Sequence, residues 1–544
     1  MAGCNGSSGG GGAASSVSAS PTINAGLPVG DVGMPYSASL TTDTGSNVQW
    51  TLVGGELPAG LTFSEAGLLQ GTPLQHGVSA ITVKATTAAG NDTKTLSLRI
   101  RQKTSSISTT KAGIRGNKAS GVKPNFGGEA AMSGDGRYVV FQSLADNLVS
   151  DDTNNAQDLF LHDRQTGEIT RVSVGTGNLQ GDRDTVTGTI SDDGNTIAFM
   201  SFAGNLAAGD TNYVAPAGLV LDPSGGDIFV HDRNTKQTTR ISEGPNGTLG
   251  TCDQPPLDNW PCNSFDPALS QDGNLVAFGS TFTNLVPGDT NKRADIFVYN
   301  RTTKTMEKAS VGFGGAEANG WSGNPGISGD GRYVIFESTA SNLVAAGEDT
   351  NGATDIFVYD RNDGTITLVS KNDGGAVGNH NSMTPYISRD GKWITFWSAA
   401  DNLVAADTNA KADVFAVEWK ATPRTMQLVS KSGSGVQADD DSQVSVISGN
   451  GRYVVFESKA TNLIDGTPDT NGNVDIFVAD LQGTGAGFMK RVSVNHNGDE
   501  AVGGASETPS ISADGRFISF SSDATNLEDG DTNGTKDVFV TQRP

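Results

Sequence analysis

Residues 325–370 read PGISGDGRYVIFESTASNLVAAGEDTNGATDIFVYDRNDGTITLVS, and this stretch decides the fold. A short run ending at Ser328 is followed by a tight Gly-Asp-Gly turn and then by the apolar run 333–338. After a longer loop, a second apolar run at 356–359 and an alternating run at 367–370 complete the unit. Short runs of this kind, separated by Gly, Asn and Asp, predict antiparallel strands. The unit therefore predicts one sheet of four strands.

The same unit recurs along residues 104–544 and carries two sequence anchors. The first anchor is a Ser-x-Asp-Gly turn, or a close variant, which precedes the apolar run. It begins at Ser133, Ser191, Ser270, Ser328, Ser388, Ser448 and Ser512. The second anchor is an Asp-Thr-Asn loop, after which an Asp opens the next strand. Seven copies of a four-stranded unit of about 60 residues predict the blades of a β-propeller.

The chain ends inside the third strand of the seventh unit, so that unit lacks its outer strand. Residues 107–113 match the outer-strand pattern of residues 171–175. We therefore expect an N-terminal strand to complete the last blade, because this removes an open sheet edge. The predicted fold class is all-β: a seven-bladed β-propeller preceded by a small Ig-like β-sandwich.

Residues 21–103 follow a different pattern from the repeats. Alternating runs at 48–53 and 80–85 flank the motifs LPAGLTF at 57–63 and GLLQGTP at 67–73. These motifs resemble the Ig-like (cadherin-like) domains of bacterial surface proteins. The resemblance implies a spacer or adhesive β-sandwich at 21–103.

The repeat signature Ser-x-Asp-Gly-(Arg/Lys)-Tyr-(Val/Ile)-x-Phe resembles the PD40, or WD40-like, repeats of TolB-like β-propellers in exported bacterial proteins. The resemblance spans about 440 residues and implies a propeller at 104–544. TolB itself has an N-terminal α/β domain, which residues 21–103 do not resemble. The envelope-translocation function of TolB is therefore not implied.

Residues 1–20 have the Gly/Ser-rich composition of a flexible tether. Small residues before Cys4 and a Gly/Ser spacer after it resemble the lipobox of bacterial lipoproteins. The resemblance implies lipidation at Cys4 and a place in the outer membrane, at the cell surface or in the periplasm. Met1 stands where a lipobox usually has Leu, and the apolar h-region is missing. The alternative is an unmodified Cys in a disordered tail.

The charge balance limits the classes of partner. The chain has 37 Lys and Arg against 60 Asp and Glu, a net charge of −23. Nucleic-acid binding needs clustered basic residues, so no nucleic-acid partner is expected. No apolar run reaches the roughly 18–20 residues that span a bilayer, so membrane contact is expected only through a lipid on Cys4. Cys252 and Cys262 lie ten residues apart in a Pro-rich insertion, which predicts a disulfide in an oxidising compartment.

The Asp-Thr-Asn loops are candidate calcium sites, because a hard cation prefers carboxylate, amide and carbonyl oxygens on one short turn. The EF-hand signature is absent, since position 5 is never acidic. The alternative is structural: each Asp and Asn caps loop backbone N–H groups as an Asx-turn. The copy at 210–227 is broken by an insertion. The candidate calcium ligands are Asp152, Asn154, Asp158, Asp289, Asn291, Asp295, Asp349, Asn351, Asp355, Asp407, Asn409, Asp413, Asp469, Asn471, Asp475, Asp531, Asn533 and Asp537.

The connectors between blades vary in sequence while the strands repeat, which is typical of a ligand-reading surface. Tryptophan could stack on a sugar or peptide side chain, and carboxylates and amides could bind hydroxyl groups. The alternative is that these are ordinary loop residues, with Trp packed between blades. The candidate ligand-binding residues are Trp260, Trp321, Asn379, His380, Asp439, Asp440 and His496.

The favoured function is a non-enzymatic, exported binding or scaffolding protein whose ligand is an envelope or extracellular protein, a peptide or a glycan. Calcium is the only cofactor that the sequence suggests. The chain has no His-Glu-x-x-His motif and no P-loop. The alternative is a carbohydrate-active enzyme, a lyase or a glycoside hydrolase, acting at the same face. It stays open because catalytic carboxylates are brought together in space rather than in sequence.

Overall fold

The structure is a computed structural model that describes residues 20–24, 26–44, 47–121, 131–212, 225–252, 261–405 and 407–544. The chain divides into two compact units, residues 1–102 and 103–544. Helical structure in the described residues is limited to three single 3₁₀ turns, Pro245–Gly247, Phe313–Gly315 and Gly485–Gly487. No helix in these ranges has the length and apolar character needed to cross a bilayer.

The N-terminal unit is a sandwich of two sheets. One sheet has the strand order Gly30–Asp31, Gly90–Arg101, Gly77–Thr87 and Gln49–Gly54. The other has the order Tyr36–Ser39, Leu68–Gly71 and Leu61–Phe63. Side chains alternate in and out along the strands, and Trp50, Leu69, Ile81 and Leu98 form the buried centre. The Ig-like β-sandwich predicted from the motifs is therefore confirmed.

The second unit contains seven four-stranded antiparallel sheets among its described residues, which we call blades 1 to 7 in chain order. The inner strands are Ala131–Met132, Thr185–Ile190, Ser264–Leu269, Ser322–Ile327, Ser382–Ile387, Ser442–Ile447 and Ser506–Ile511. The second strands are Tyr138–Ser143, Thr196–Ser201, Leu275–Ser280, Tyr333–Ser338, Trp393–Ser398, Tyr453–Ser458 and Phe517–Ser522. The third strands are Asp158–Asp163, Asp227–Asp232, Asp295–Asn300, Asp355–Asp360, Asp413–Glu418, Asp475–Asp480 and Asp537–Gln542. The outer strands are Glu168–Arg171, Gln237–Arg240, Thr305–Lys308, Thr365–Leu368, Met426–Leu428, Met489–Arg491 and, for blade 7, Thr104–Ser106.

The inner strands of successive blades contact one another around a ring, and the inner strand of blade 7 contacts that of blade 1. The predicted propeller fold is thereby confirmed. Connectors after blades 1, 2 and 3 form short hairpins, Val174–Gly175 with Leu179–Gln180, Glu243–Gly244 with Thr248–Leu249, and Val311–Gly312 with Ala316–Glu317.

Each blade has one pair of phenylalanines at its centre, one from the second strand and one from the third. The pairs are Phe141–Phe160, Phe199–Phe229, Phe278–Phe297, Phe336–Phe357, Phe396–Phe415, Phe456–Phe477 and Phe520–Phe539. Ring centroids lie 5.7 to 6.1 Å apart. Burying each ring contributes about 1.5–3 kcal/mol to the stability of the fold. These phenylalanines lie in the apolar runs seen in the sequence.

The last blade is completed from the N-terminal side, as the sequence predicts. Thr104–Ser106 pairs with Phe539, Val540 and Thr541. The strand ends just before residues 107–113, where the sequence pattern predicted it. Residues 107–108 correspond instead to the two residues that follow the outer strand in the other blades. Ile107 is buried, and the Ser108 hydroxyl donates a hydrogen bond to Asp537.

We predict that a chain starting at residue 103 folds, whereas one starting at residue 110 is destabilised by about 3 kcal/mol or more. The shorter chain loses three backbone pairings and the Ser108 hydroxyl, each worth about 1 kcal/mol, and exposes a sheet edge. Urea denaturation and gel filtration of both chains test this. Equal stability of the two chains would contradict the closure.

Candidate functional site

A cavity of about 240 Å³ lies on the ring axis and is lined by the inner strands of all seven blades. Its wall consists mainly of backbone and of small or apolar side chains. The charged side chains among its lining residues are Asp266 and Arg389, and Tyr386 lies in the wall with 43% of its surface exposed. The cavity therefore offers hydroxyl groups, backbone polar groups and one aromatic ring to a ligand.

The backbone of the cavity wall adopts an uncommon conformation in five blades. Asp266, Asn324, Thr384, Val444 and Thr508 have φ between 39° and 55°, which non-glycine residues rarely adopt. Each residue lies at a break in the pairing of its inner strand with the second strand. Such bulges and strained residues concentrate at binding and active sites. The repeated bulge therefore marks the cavity as the candidate ligand site.

Two buried glutamates support these bulges from behind. Glu337 of blade 4 accepts a hydrogen bond from the Thr384 backbone N–H of blade 5 at 2.6 Å. Glu457 of blade 6 accepts one from the Thr508 N–H of blade 7 at 2.6 Å. Burial raises the pKa of Glu337 to about 7. Gln142 occupies the equivalent position of blade 1 and donates to the Val186 carbonyl, so a neutral side chain also fits there.

The Ser-x-Asp-Gly turns form a ring at one end of the cavity. Backbone N–H groups donate from Ala513 to Gly134, and onward through Asp192, Gln271, Gly329 and Arg389, at 2.9 to 3.1 Å. The side chains of Arg389 and Asp192 form an ion pair at 2.5 Å between blades 5 and 2. This pair lies across the ring, so it narrows that end of the cavity.

At the opposite face, the Asp that opens each third strand is buried, with 0 or 1% of its surface exposed. One carboxylate oxygen of each Asp accepts a hydrogen bond from a serine hydroxyl just after the outer strand. The Asp–Ser pairs are Asp158–Ser173, Asp227–Ser242, Asp295–Ser310, Asp355–Ser370, Asp413–Ser430, Asp475–Ser493 and Asp537–Ser108. The loop Asn forms the expected Asx-turn in six described blades; in blade 4, for example, the Ala353 N–H donates to Asn351 Oδ1 at 3.0 Å.

In five blades a basic side chain lies within 4 Å of a loop carboxylate, contacting both aspartates in blades 1, 3 and 7 and the first Asp in blades 2 and 6. The basic residues are Arg171 in blade 1, Arg240 in blade 2, Lys308 in blade 3, Arg491 in blade 6 and Arg115 in blade 7. In blade 3, carboxylate oxygens of Asp289, Asp295 and Glu317 lie within 4.8 Å of one another, the spacing of a metal site. The Lys308 ammonium contacts all three at 2.7 to 3.2 Å. This acidic cluster thus already holds one cation of the chain.

Blades 4 and 5 differ from the other five. Leu368 and Leu428 occupy the outer-strand positions that hold a basic residue in blades 1, 2, 3 and 6. Among the described atoms, Asp349 Oδ1, Asp355 Oδ2 and Asp413 Oδ2 are buried and accept no hydrogen bond of regular geometry, and in blade 6 the same holds for Asp469 Oδ2.

The predicted ligand-binding residues do not form one cluster. Trp321 is half-buried and packs against the core of blades 2 and 3, as an interblade packing residue does. Asn379 and Asp439 bond to the neighbouring loops at Asp401 and Thr461, and Asp440 forms an ion pair with Lys411 at 2.9 Å. His380 and His496 are exposed. Trp260 and the predicted lipidation site, Cys4, lie outside the described residues. The two cysteines Cys252 and Cys262 form a disulfide.

A recurrent Asn-Leu pair joins each blade to its connector. The two sequence anchors of the repeat did not include it. The Asn accepts from a connector N–H and donates to a connector carbonyl, and the Leu is buried. The Asn residues are Asn147, Asn205, Asn284, Asn342, Asn402, Asn462 and Asn526. Its occurrence in every unit was the signal that could have revealed it.

One sequence family, described as "Putative Ig domain", matches residues 18–101. No curated protein matches the chain. Among solved structures, an oligogalacturonate lyase from Vibrio parahaemolyticus is 12% identical, with 81% of this chain and 94% of that chain covered and a TM-score of 0.44. An oligogalacturonate lyase in complex with manganese is 13% identical, with 90% and 98% covered and a TM-score of 0.45. TolB from Acinetobacter baumannii is 14% identical, with 75% and 81% covered and a TM-score of 0.34.

We predict that Arg171→Leu destabilises the chain by about 3–5 kcal/mol, because it leaves two buried carboxylates without their cation. The Arg171 side chain is 4% exposed and lies 3.8 Å from Asp152. Arg516→Leu is the matched control, since its side chain is 53% exposed and a surface pair contributes less than about 1 kcal/mol. Urea denaturation of both variants is the measurement. Equal effects would show that burial of the charge is unimportant.

We predict that Glu337→Gln reduces the loss of stability as the pH rises from 5 to 8. The pKa of Glu337 is raised from 4.5 to about 7 in the folded chain, so its contribution is full below pH 4.5 and is lost as the pH rises through 7. The loss from this group approaches about 1.4 kcal/mol per pH unit. Denaturation at several pH values, with exposed Glu168→Gln as control, measures it. An unchanged slope in Glu337→Gln would contradict the assignment.

Proposed function

We propose that the chain is an exported, non-enzymatic binding protein whose propeller takes a glycan, a peptide or a segment of an envelope protein into its axial cavity. The single observation that carries the proposal is the strained, bulged wall of that cavity, which five blades build in the same way. A wall of backbone groups, threonines and one exposed tyrosine suits an uncharged polar ligand, because such groups bind hydroxyl and amide groups.

The chemistry of the lining supports binding over hydrolysis. Hydrolysis of a glycosidic bond uses two carboxyl groups about 5–10 Å apart. Asp266 is the one carboxylate among the described lining residues, and Glu337 and Glu457 are engaged behind the wall by backbone N–H groups. A carbohydrate-active enzyme remains the second candidate function and is an outcome of the test below.

One structural feature supports export. The Cys252–Cys262 disulfide fits an oxidising compartment. We propose in addition that Cys4 carries a lipid, that residues 5–20 act as a tether, and that the Ig-like unit acts as a spacer before the propeller. Mass spectrometry of membrane-extracted protein from a bacterial host, with Cys4→Ser as control, tests the anchor.

We predict that the full chain, screened on glycan and peptide arrays, binds a defined ligand and that Tyr386→Ala weakens this binding at least tenfold. The reason is that the Tyr386 ring is the large aromatic surface of the cavity wall. Leu74→Ser is the control, because Leu74 is exposed on the N-terminal unit.

Two outcomes would contradict the proposal. Loss of binding in Leu74→Ser but not in Tyr386→Ala would assign the ligand to the N-terminal unit. Cleavage of an array glycan by the chain, seen as new reducing or unsaturated ends, would establish the enzyme instead.

A further inference from the structure

The buried carboxylates of the Asp-Thr-Asn loops create the same requirement in every blade. Each loop pairs its first Asp with the Asp that opens the third strand, and the second of these is enclosed by the blade. Buried carboxylates are costly unless a cation or a proton balances them. Blades 1, 2, 3, 6 and 7 meet the requirement with an arginine or a lysine of the chain.

The chain supplies this cation from two alternative positions. In blades 1, 2, 3 and 6 it comes from the last residue of the outer strand. In blade 7, where Ser106 holds that position, Arg115 of the following connector contacts Asp531 and Asp537 at 3.8 and 3.3 Å. Blade 7 takes its basic residue from a different position in the chain. The requirement for positive charge therefore belongs to the space beside the two aspartates and not to one strand position.

Blade 4 has neither source. Its outer-strand position is Leu368, and the connector residue that corresponds to Arg115 is Val377, whose carbonyl accepts from the Asn402 amide as that of Arg115 does from Asn147. Among the described residues, no arginine or lysine forms an ion pair with Asp349 or Asp355. The side chain of Asp355 is fully buried and Asp349 is 8% exposed, and each has an oxygen without a regular hydrogen bond.

Blade 5 repeats this arrangement with a more polar surrounding. Leu428 replaces the basic residue, and the connector position is Gln437, which donates to Asp407 Oδ1 at 3.4 Å. Asp413 is fully buried, and Asp407 and Asp441 both act on it as like charges. Here too one carboxylate oxygen, Asp413 Oδ2, points into the place that a guanidinium or an ammonium fills elsewhere.

We propose that blades 4 and 5 each bind one calcium ion, held by Asp349 and Asp355 in blade 4 and by Asp407 and Asp413 in blade 5, in the place that a basic side chain takes in the other five blades. Two carboxylates facing one small space match a divalent cation in charge, and their oxygens match calcium in hardness. Calcium accepts water as part of its shell, so a loop can complete the coordination from the solvent side. The proposal narrows the predicted calcium sites from six loops to two.

The experiment uses the full chain, stripped with EDTA, desalted and titrated with calcium chloride in a calorimeter. We expect two calcium ions per wild-type chain, one for Leu368→Arg, one for Leu428→Arg and none for the double variant. Arginine at these positions supplies the resident cation found at Arg171 and Arg491. Calcium should raise the melting temperature of the wild type by several degrees and leave that of the double variant unchanged.

Further variants keep the test decisive. Asp349→Asn should lose the blade 4 ion even if Leu368→Arg fails to fold, whereas Asp289→Asn, at the position filled by Lys308, should leave calcium uptake unchanged. Absence of calcium uptake by the wild type would overturn the proposal and indicate that each carboxylate pair shares a proton instead. Uptake of magnesium but not calcium, or equal calcium uptake by the wild type and the double variant, would also overturn it.

Discussion

The buried aspartate that opens each third strand is the interaction on which the propeller depends. Its carboxylate accepts a hydrogen bond from the hydroxyl of the serine that follows the outer strand. This bond links the third strand and the loop before it to the end of the outer strand of the same blade. A carboxylate with almost no exposure must be balanced by positive charge or by a proton. The loop Asn and the serine of each blade, and the basic residue of five blades, all follow from that requirement.

This constraint also shapes the ring as a whole. In blade 7 both the serine and the basic residue come from the N-terminal end of the unit, as Ser108 and Arg115. The closing strand therefore brings the charge balance of the last blade with it, besides pairing its edge. The acidic excess of the chain is in part a product of the repeat, because each of the seven loops contributes two aspartates.

Much of the fold could be predicted from the sequence, because a repeat imposes the same local pattern seven times. The turn at Ser328, the apolar second strand and the Asp-Thr-Asn loop each marked a fixed position within a blade. The closing strand was also predictable, although Thr104–Ser106 lies just before the expected range. The expected Asx-turns were correct for the same reason: an Asn side chain bonds to a backbone two residues away, which is a local event.

The site was less predictable, since it depends on contacts between blades. The packing of Trp321 against the core of blades 2 and 3, for example, has no signal in the sequence around it. The bulge at Thr384 and its support by Glu337 join residues 47 positions apart and left no local signal. The difference between Leu368 and Arg171 was visible in the sequence, but its meaning required the knowledge that both positions face a buried Asp pair.

The central claim is that each buried Asp pair must have its own cation, from the chain or from solution. The most direct measurement is an anomalous difference map from crystals grown with calcium, recorded at a wavelength where calcium scatters anomalously. The account predicts one peak between Asp349 and Asp355, one between Asp407 and Asp413, and none beside Arg171, Arg240, Lys308, Arg491 or Arg115. Peaks beside those basic residues, or no peak in blades 4 and 5, would contradict it.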